Sequence, residues 1–360
     1  MTHAFVRRVH PGRAARIAVA ATLCGLLGLG HPVEGSAQGV NPALDQYLQR
    51  LGIDARQRAT AARGRAVAKL LPEKDNRDVT VVGLIGVNVP RDTVVARAFD
   101  IERALAAREG RYHVFGNPPS AADVGGVAFD ESEYRGLRNC KPGDCDFKLP
   151  AADMTGFVQQ VNWSSRGAKA QADERLRAMM LRFATEYSAH GNSAMPVYED
   201  ERGVRSGDVF ATLLAQITDL YPDAAELTRY LATYPAGRPH GARDILYWSE
   251  DRLPHLRPML TLDHVVVFKP TRADAAALVA RKQIYANHYF EGALELLAII
   301  EGGGGPGEPA AYMLTVRRFR FDNLPGGLLN IRGRVRRGLA DAARDDLEQQ
   351  RALMQSAASP

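Results

Sequence analysis

Hydrophobic positions along the first two thirds of the chain predict one strand and then mostly helices. Val79 to Val89 is rich in β-branched residues and predicts a strand, and apolar residues at helical spacing follow over 94–105. Three later segments carry apolar stripes at i, i+3, i+4 and i+7 spacing, which predict amphipathic helices. These segments are 176–187, which is stopped by Gly191, then 210–220 and 227–234.

The pattern changes to strands after Asp244. Strands are predicted at 245–248, 262–268 and 312–321. The apolar run over 283–300 fits one strand, a bent pair of strands or a helix, and 334–354 predicts a closing helix with one apolar side. This order predicts the α+β class. We expect a curved antiparallel sheet packed on a long C-terminal helix, with a helical insertion at 163–235.

The order of these elements resembles the helix-grip (START-like) architecture, in which a curved antiparallel sheet wraps the final helix. The resemblance covers residues 79–106 and 244–354. It implies a ligand-binding pocket between the sheet and that helix. A second resemblance, to exported bacterial proteins, implies a location and no activity. Its motifs are Cys140-x4-Cys145, Tyr247-Trp248, Tyr285-x-x-His288-Tyr289-Phe290 and Arg318-x-Arg320.

The first 37 residues have the layout of a secretory signal peptide. A basic start with four arginines, a mostly apolar run over 17–30 and the small residues Gly35-Ser36-Ala37 occur in that order, so cleavage is predicted after Ala37. The run is shorter than the ~20 residues of a membrane-spanning helix, so a retained anchor is the less favoured alternative. We therefore expect a periplasmic or secreted protein. The predicted organisation is a signal peptide at 1–37, a helical segment and linker at 38–78, and one α+β domain at 79–356.

Cys140 and Cys145 are the two cysteines outside the predicted signal peptide, because Cys24 lies within it. The Pro142-Gly143 pair between them suits a type II turn that brings the sulfurs together. An even pair in an exported chain predicts a disulfide. Its short loop should contribute only about 2 kcal/mol of stability. Redox exchange and metal binding are the alternatives, and the Cys-x4-Cys spacing favours neither.

Net charge gives no reason to expect a nucleic-acid partner. The whole chain has 46 Lys and Arg against 41 Asp and Glu, and without residues 1–37 the counts become 42 and 40. One local cluster is basic, since seven arginines within 317–337 are opposed in sequence only by Asp322. They are Arg317, Arg318, Arg320, Arg332, Arg334, Arg336 and Arg337. Arginine binds phosphate and carboxylate, so the cluster predicts contact with an anionic ligand or membrane surface, unless it is only a solvated face.

Motifs of known catalytic chemistry are missing from the sequence. It contains no Gly-x-Ser-x-Gly elbow, no His-Glu-x-x-His and no phosphate-binding Gly-Lys-Ser/Thr loop, and no histidines are spaced at i, i+4. Neither a metal nor a cofactor is therefore predicted. His288 and His264 are candidates for a catalytic base if the fold brings a carboxylate to them, and a structural role is the alternative for both.

Aromatic and basic residues in the last third supply a candidate ligand site. Strands that share a sheet would place alternate rings on one face, which suits an apolar pocket with a few polar tips, although such rings also fill cores. The function predicted is binding of an apolar or amphipathic small molecule, such as a lipid, under the C-terminal helix. A periplasmic hydrolase with a histidine base and an envelope-associated interaction protein are the alternatives. The candidate binding residues are Tyr247, Trp248, Tyr285, His288, Tyr289, Arg318 and Arg320.

Overall fold

One large antiparallel sheet with helices on both faces dominates a computed structural model of the chain. The chain divides into two units, Met1–Ala37 and Gln38–Pro360. The described residues belong to the second unit. They are 42–107, 110–131, 133–221, 224–251, 257–270, 275–303, 305, 307–322 and 331–356.

The large sheet has eight strands in the order β1-β2-β10-β9-β8-β7-β6-β3, and every neighbouring pair is antiparallel. The sheet is open, with β1 and β3 at its edges. Strands β4 (Val197–Tyr198) and β5 (Val204–Arg205) form a separate two-stranded ribbon. The strands of the large sheet are β1 (Val67–Leu71), β2 (Asp78–Val87), β3 (Arg111–Val114), β6 (Arg243–Asp251), β7 (Met259–Phe268), β8 (Ala275–Ala286), β9 (Phe290–Glu301) and β10 (Ala311–Phe321).

Nine α-helices are assigned within the described residues, together with short 3₁₀ turns. They are α1 (Pro42–Arg50), α2 (Ala55–Ala62), α3 (Arg91–Ala98), α4 (Ile101–Ala106), α5 (Ala151–Gln160), α6 (Ala168–His190), α7 (Ser206–Leu220), α8 (Ala225–Thr233) and α9 (Ile331–Ser356). Helices α6–α8 lie within the insertion that the sequence predicts at 163–235, and α5 precedes it. We call α5–α8 together the helical block.

Alternation of side chains along each strand decides which helices cover which face of the sheet. In β7, Leu262, Val266 and Phe268 join the core formed with the helical block, and we call this side the block face. Val265 and Val267 point the other way, toward α4. Helix α9 lies on that second side, which we call the α9 face. Both faces are therefore covered, and most strand residues are buried.

Helix α9 packs mainly on β1 and β2 at one side of the sheet. Its apolar stripe places Ala343 and Leu347, both completely buried, against these strands. Gly83 of β2 permits this close approach, because a Cβ there would lie 2.6 Å from Leu347 Cδ1. Helices α3 and α4 cover the half of the α9 face nearer β6–β8. The face is thus shared by two helical layers, with a gap between them.

The structure confirms the predicted α+β class, the large antiparallel sheet and the long C-terminal helix. The ambiguous run over 283–300 lies in strands β8 and β9, which are joined by a tight turn in which Tyr289 has a positive φ of 64°. The helix expected over 94–105 is interrupted, because Asp100 caps the start of α4 by accepting a hydrogen bond from the Arg103 backbone N–H. The predicted signal peptide at 1–37 lies outside the described residues.

Cys140 and Cys145 form the predicted disulfide. The turn between them is closed by a bridge from Lys141 to Asp144, and its Gly143 backbone N–H donates to the Glu199 carbonyl at 2.8 Å. The cross-link is therefore local and holds a short turn against the segment before β5. Among the helices that the structure describes, none combines the length and apolar character that crossing a bilayer requires.

Candidate functional site

A cavity of about 310 Å³ lies on the α9 face, in the gap between α9 and the α3–α4 layer. We call it the α9 cavity. Its floor is formed by the sheet, including Val265, Val279 and Leu297 from three neighbouring strands. Ile101 of α4 and Met354 of α9 contribute to the opposite walls. Much of the lining is apolar, and the volume is at the lower end of the range typical of small-molecule pockets.

A row of charged side chains crosses the floor of this cavity. Arg281 of β8, Glu295 of β9 and Arg317 of β10 are direct cross-strand neighbours, so their side chains project from the same face. The Arg281 guanidinium donates to Glu295 Oε1 at 2.7 Å, and Arg317 donates to Asp346 of α9. Tyr247 of β6 extends the row, because its hydroxyl accepts from Arg281 at 3.3 Å. We call Arg281, Glu295, Arg317 and Asp346 the charged row.

Both arginines of the charged row remain positively charged in spite of their burial. Burial by itself lowers the pKa of Arg281, but Glu295, Tyr247 and Asp263 together raise that pKa well above its ordinary value. Burial also lowers the pKa of Arg317, and the carboxylates of Glu295 and Asp346 overcome this effect and raise its pKa. The cavity floor is therefore a fixed array of alternating charges.

Two polar atoms beside the cavity lack a hydrogen-bond partner within the described part of the chain. They are Arg317 Nε and Thr315 Oγ1, and both are buried. Glu295 Oε2 lies 3.8 Å from Arg317 Nε, beyond hydrogen-bonding distance. An unsatisfied buried donor costs about 1–3 kcal/mol, so these atoms would be stabilised by an added acceptor.

Two polar contacts join the helical layers on either side of the cavity. Arg97 of α3 donates to the carbonyls of Leu353 and Met354 near the end of α9. This places a cation at the negative end of the helix dipole. Farther along, the Gln349 side-chain amide donates to the Ala107 carbonyl at 2.8 Å. These contacts connect α9 to the α3–α4 layer beside the cavity.

The structure disperses the ligand-binding residues predicted from the sequence. Tyr247 alone of the seven lies in the lining of the α9 cavity. Trp248, the next residue, faces the block side, where its indole Nε1 donates to the Asp123 carbonyl at 2.8 Å. Tyr285 also lies in the block-face core, with its ring 5.3 Å from that of Phe183. These two rings fill the core between the sheet and the helical block.

His288 and Tyr289 occupy the turn between β8 and β9, away from the cavity lining. His288 is nearly buried, with Nε2 3.3 Å from Glu133 Oε1 and its ring 5.0 Å from that of Phe147. The Tyr289 hydroxyl accepts a hydrogen bond from the Arg257 backbone N–H at 2.8 Å. The turn therefore does bring a carboxylate to His288, but in a closed and largely buried environment.

The strand arginines of the basic cluster are neutralised by carboxylates from elsewhere in the chain. Arg318 pairs with Glu73 at 3.1 Å, and Arg320 makes two 2.7 Å hydrogen bonds to Asp78. Asp322 is the only acidic residue within the cluster in sequence, and the fold brings further carboxylates to it. Antiparallel pairing of β10 with β2 places Asp78 beside Arg320. In α9, Arg334 and Arg337 are exposed.

His264 lies in a buried hydrogen-bonded chain on the block face. Its Nε2 is 2.9 Å from Asp244 Oδ1, and its Nδ1 is 2.8 Å from the Tyr187 hydroxyl. Lys282 Nζ donates to that same hydroxyl at 3.0 Å and also to Asn192 Oδ1. Burial lowers the pKa of His264, although Asp244 acts to raise it.

The same burial raises the pKa of Tyr187 and lowers the pKa of Lys282, each by a large amount. A neutral His264 would then accept from Tyr187 and donate to Asp244, and every bond in the chain is satisfied. His264, Tyr187 and Lys282 are completely buried, so a substrate could not touch them in this arrangement. This series of hydrogen-bonded side chains acts as a polar part of the core.

The charged row is the part of the candidate site that reasoning from sequence missed. Arg281 and Glu295 are charged residues within long, otherwise apolar stretches of strand, and this is a usable signal because buried charges need partners. Their pairing across β8, β9 and β10 depends on strand register, which the local pattern does not reveal. Asp346 is still more remote, since it reaches the row from α9.

Comparison with known proteins finds no match to this chain among protein-family models, curated proteins or solved structures.

Proposed function

We propose that this chain is an exported protein that binds an apolar or amphipathic small molecule in the α9 cavity. The observation that carries the proposal is a cavity between the sheet and the helices of the α9 face, with a largely apolar lining and a charged row across its floor. Apolar lining residues favour the hydrocarbon part of a ligand, and a few fixed polar groups orient it. The Cys140–Cys145 disulfide and the predicted signal peptide support the exported location.

The two alternative functions receive less support from the described residues. Each candidate histidine has a carboxylate within 3.3 Å, as a hydrolase would need, but both imidazoles are buried away from the cavity. Docking on an anionic membrane through the arginines is weakened by the ion pairs that Arg318 and Arg320 make within the protein. Ligand binding makes use of the cavity, whereas neither alternative does.

The proposal is tested with N-phenyl-1-naphthylamine, whose fluorescence rises when it enters an apolar site. We expect saturable binding to the purified protein, with one probe per chain. Ala104→Trp should abolish or strongly weaken this binding, because Ala104 of α4 lines the cavity and a bulky ring there would occupy it. Ala106→Trp is the matched control, since Ala106 lies on the same helix, is exposed and is not in the lining.

Circular dichroism and thermal unfolding would establish that both tryptophan variants are folded. Equal probe binding by Ala104→Trp, Ala106→Trp and the unmodified protein would place the probe elsewhere and refute the proposed site. Absence of saturable binding to the unmodified protein would refute the proposed function for ligands of this kind.

A further inference from the structure

We infer that the α9 cavity selects ligands that carry a carboxylate, with that group held by Arg281 and Arg317 and the apolar part extending along the floor toward Met354. The inference rests on the proposed function and adds the chemical class of the ligand.

The hydrogen-bonding capacity of the floor favours an acceptor on the ligand. Each guanidinium offers five N–H donors. Among the described residues, Arg281 donates hydrogen bonds from both of its Nη atoms, and Arg317 donates from Nη2 alone. Arg317 Nε and Thr315 Oγ1 are buried without a partner in the same part of the chain. A ligand oxygen near these residues would therefore satisfy donors that the described protein groups leave unused.

The charge of the cavity lining also favours an acidic head group on the ligand. Four arginines and three carboxylates line the cavity, and the four arginines include Arg97 and Arg103 from α3 and α4. Glu295 lies between Arg281 and Arg317 on the floor, so an anionic head would share these two guanidiniums with it. Charge-assisted bonds to a carboxylate are stronger than bonds to a neutral oxygen. The lining therefore carries one positive charge in excess, which favours an anionic head over a cationic one.

A cationic head fits less well. Glu295 and Asp346 are the carboxylates that could attract it, and both already accept hydrogen bonds from the arginines of the charged row. An ammonium would also lie beside two positive groups and would leave the Arg317 Nε donor unsatisfied. The floor therefore disfavours amines relative to acids of the same length.

Strand register gives the ligand its direction. The charged row is followed, two residues farther along each strand, by a second row on the same face, formed by Thr315 of β10, Leu297 of β9 and Val279 of β8. In this second row the residue of β10 is polar and the residues of β9 and β8 are apolar. Met354 and Ala98 also line the cavity and pack in the cluster that includes Ile299. A carboxylate on the charged row would thus place its hydrocarbon chain over Leu297 and Val279.

The test compares three ten-carbon ligands that differ only in the head group, decanoate, 1-decanol and decylamine, as competitors of bound N-phenyl-1-naphthylamine at pH 7.5. We expect decanoate to bind at least about tenfold more tightly than decanol, the effect of one charge-assisted interaction. Decylamine should bind more weakly than decanol. Decanol equal to or tighter than decanoate would overturn the inference, while saturable probe binding that is lost in Ala104→Trp would still uphold the proposed function.

Variants then assign the preference to the charged row. Arg317→Gln should remove most of the advantage of decanoate over decanol and leave decanol binding nearly unchanged. Arg318→Gln is the matched control, because Arg318 is also a buried strand arginine in an ion pair but its partner Glu73 lies outside the cavity lining. The charged row would not determine the head-group preference if folded Arg317→Gln kept the same ratio of decanoate to decanol affinity, or if Arg318→Gln lost the preference equally.

Discussion

The contact between Gly83 of β2 and Leu347 of α9 offers a quantitative test of how the C-terminal helix meets the sheet. A Cβ at position 83 would lie 2.6 Å from Leu347 Cδ1 and 2.6 Å from Thr315 Oγ1, about 1 Å closer than ordinary van der Waals contact. Gly83→Ala should therefore overpack this contact and cost about 1–3 kcal/mol of unfolding free energy. Leu347→Ala removes a completely buried side chain and should cost about 2–5 kcal/mol.

The double variant should be more stable than the sum of these effects predicts. With Leu347 truncated, the methyl group introduced at position 83 would enter the space left by Cδ1, and the Thr315 hydroxyl can turn away about χ1. We expect a favourable coupling of about 1–2 kcal/mol, within the range measured for residues in contact. Urea unfolding of all four proteins, followed by far-ultraviolet circular dichroism, gives the coupling directly.

Gly338→Ala is the matched control for this cycle. Gly338 lies in α9, and a Cβ there would meet nothing within 4 Å. The substitution should stabilise the protein by up to about 1 kcal/mol through helix propensity, and it should be additive with Leu347→Ala. If Gly83→Ala has the same effect whether residue 347 is Leu or Ala, α9 does not lie against β2 at this point and the packing described above is wrong.

Two further predictions concern the block face and the disulfide. Burial lowers the pKa of Lys282, so between its folded-state pKa and 10.5 the unfolded chain binds a proton that the folded chain does not, and in that window stability should rise with pH by at most about 1.4 kcal/mol per unit. Urea titrations from pH 7 to 10 should show a shallower rise for Lys282→Met, and equal slopes would mean that the folded-state amine is charged. Removing the disulfide with Cys140→Ser and Cys145→Ser should cost about 2 kcal/mol because the closed loop is short. Loss of folding altogether would contradict its local role.

The hydrophobic pattern predicts most of the fold because burial imposes a period on each element. The apolar stripe in the final segment predicts α9, and the β-branched run after Asp78 predicts β2, both close to their observed bounds. The hydrophobic pattern predicts neither strand β3 nor helix α5. Strand β3 has four residues, and its identity depends on pairing with β6 rather than on a local pattern.

The candidate site is predicted less well, for a physical reason. Adjacent aromatic residues in a strand face opposite sides of the sheet, so the Tyr247-Trp248 pair contributes one residue to each face. In the charged row, Arg281 and Glu295 are 14 residues apart in sequence, and Arg317 and Asp346 are 29 apart. Only the register of β8–β10 and the packing of α9 bring these residues together. Local sequence shows that Arg281 and Glu295 are unusual, but tertiary contacts decide what they face.

Photochemical labelling of the bound ligand tests the central claim most directly. A decanoate with a diazirine near the end of its chain would be irradiated in complex with the protein, and the labelled peptides identified by mass spectrometry. We predict labels on Ala98 and Ile101 and on Leu353 and Met354, which are apolar residues of the α9 cavity lining, and their loss with excess unlabelled decanoate. Labels confined to α5–α8, or spread over the surface and unaffected by competition, would contradict the proposal that this cavity is the binding site.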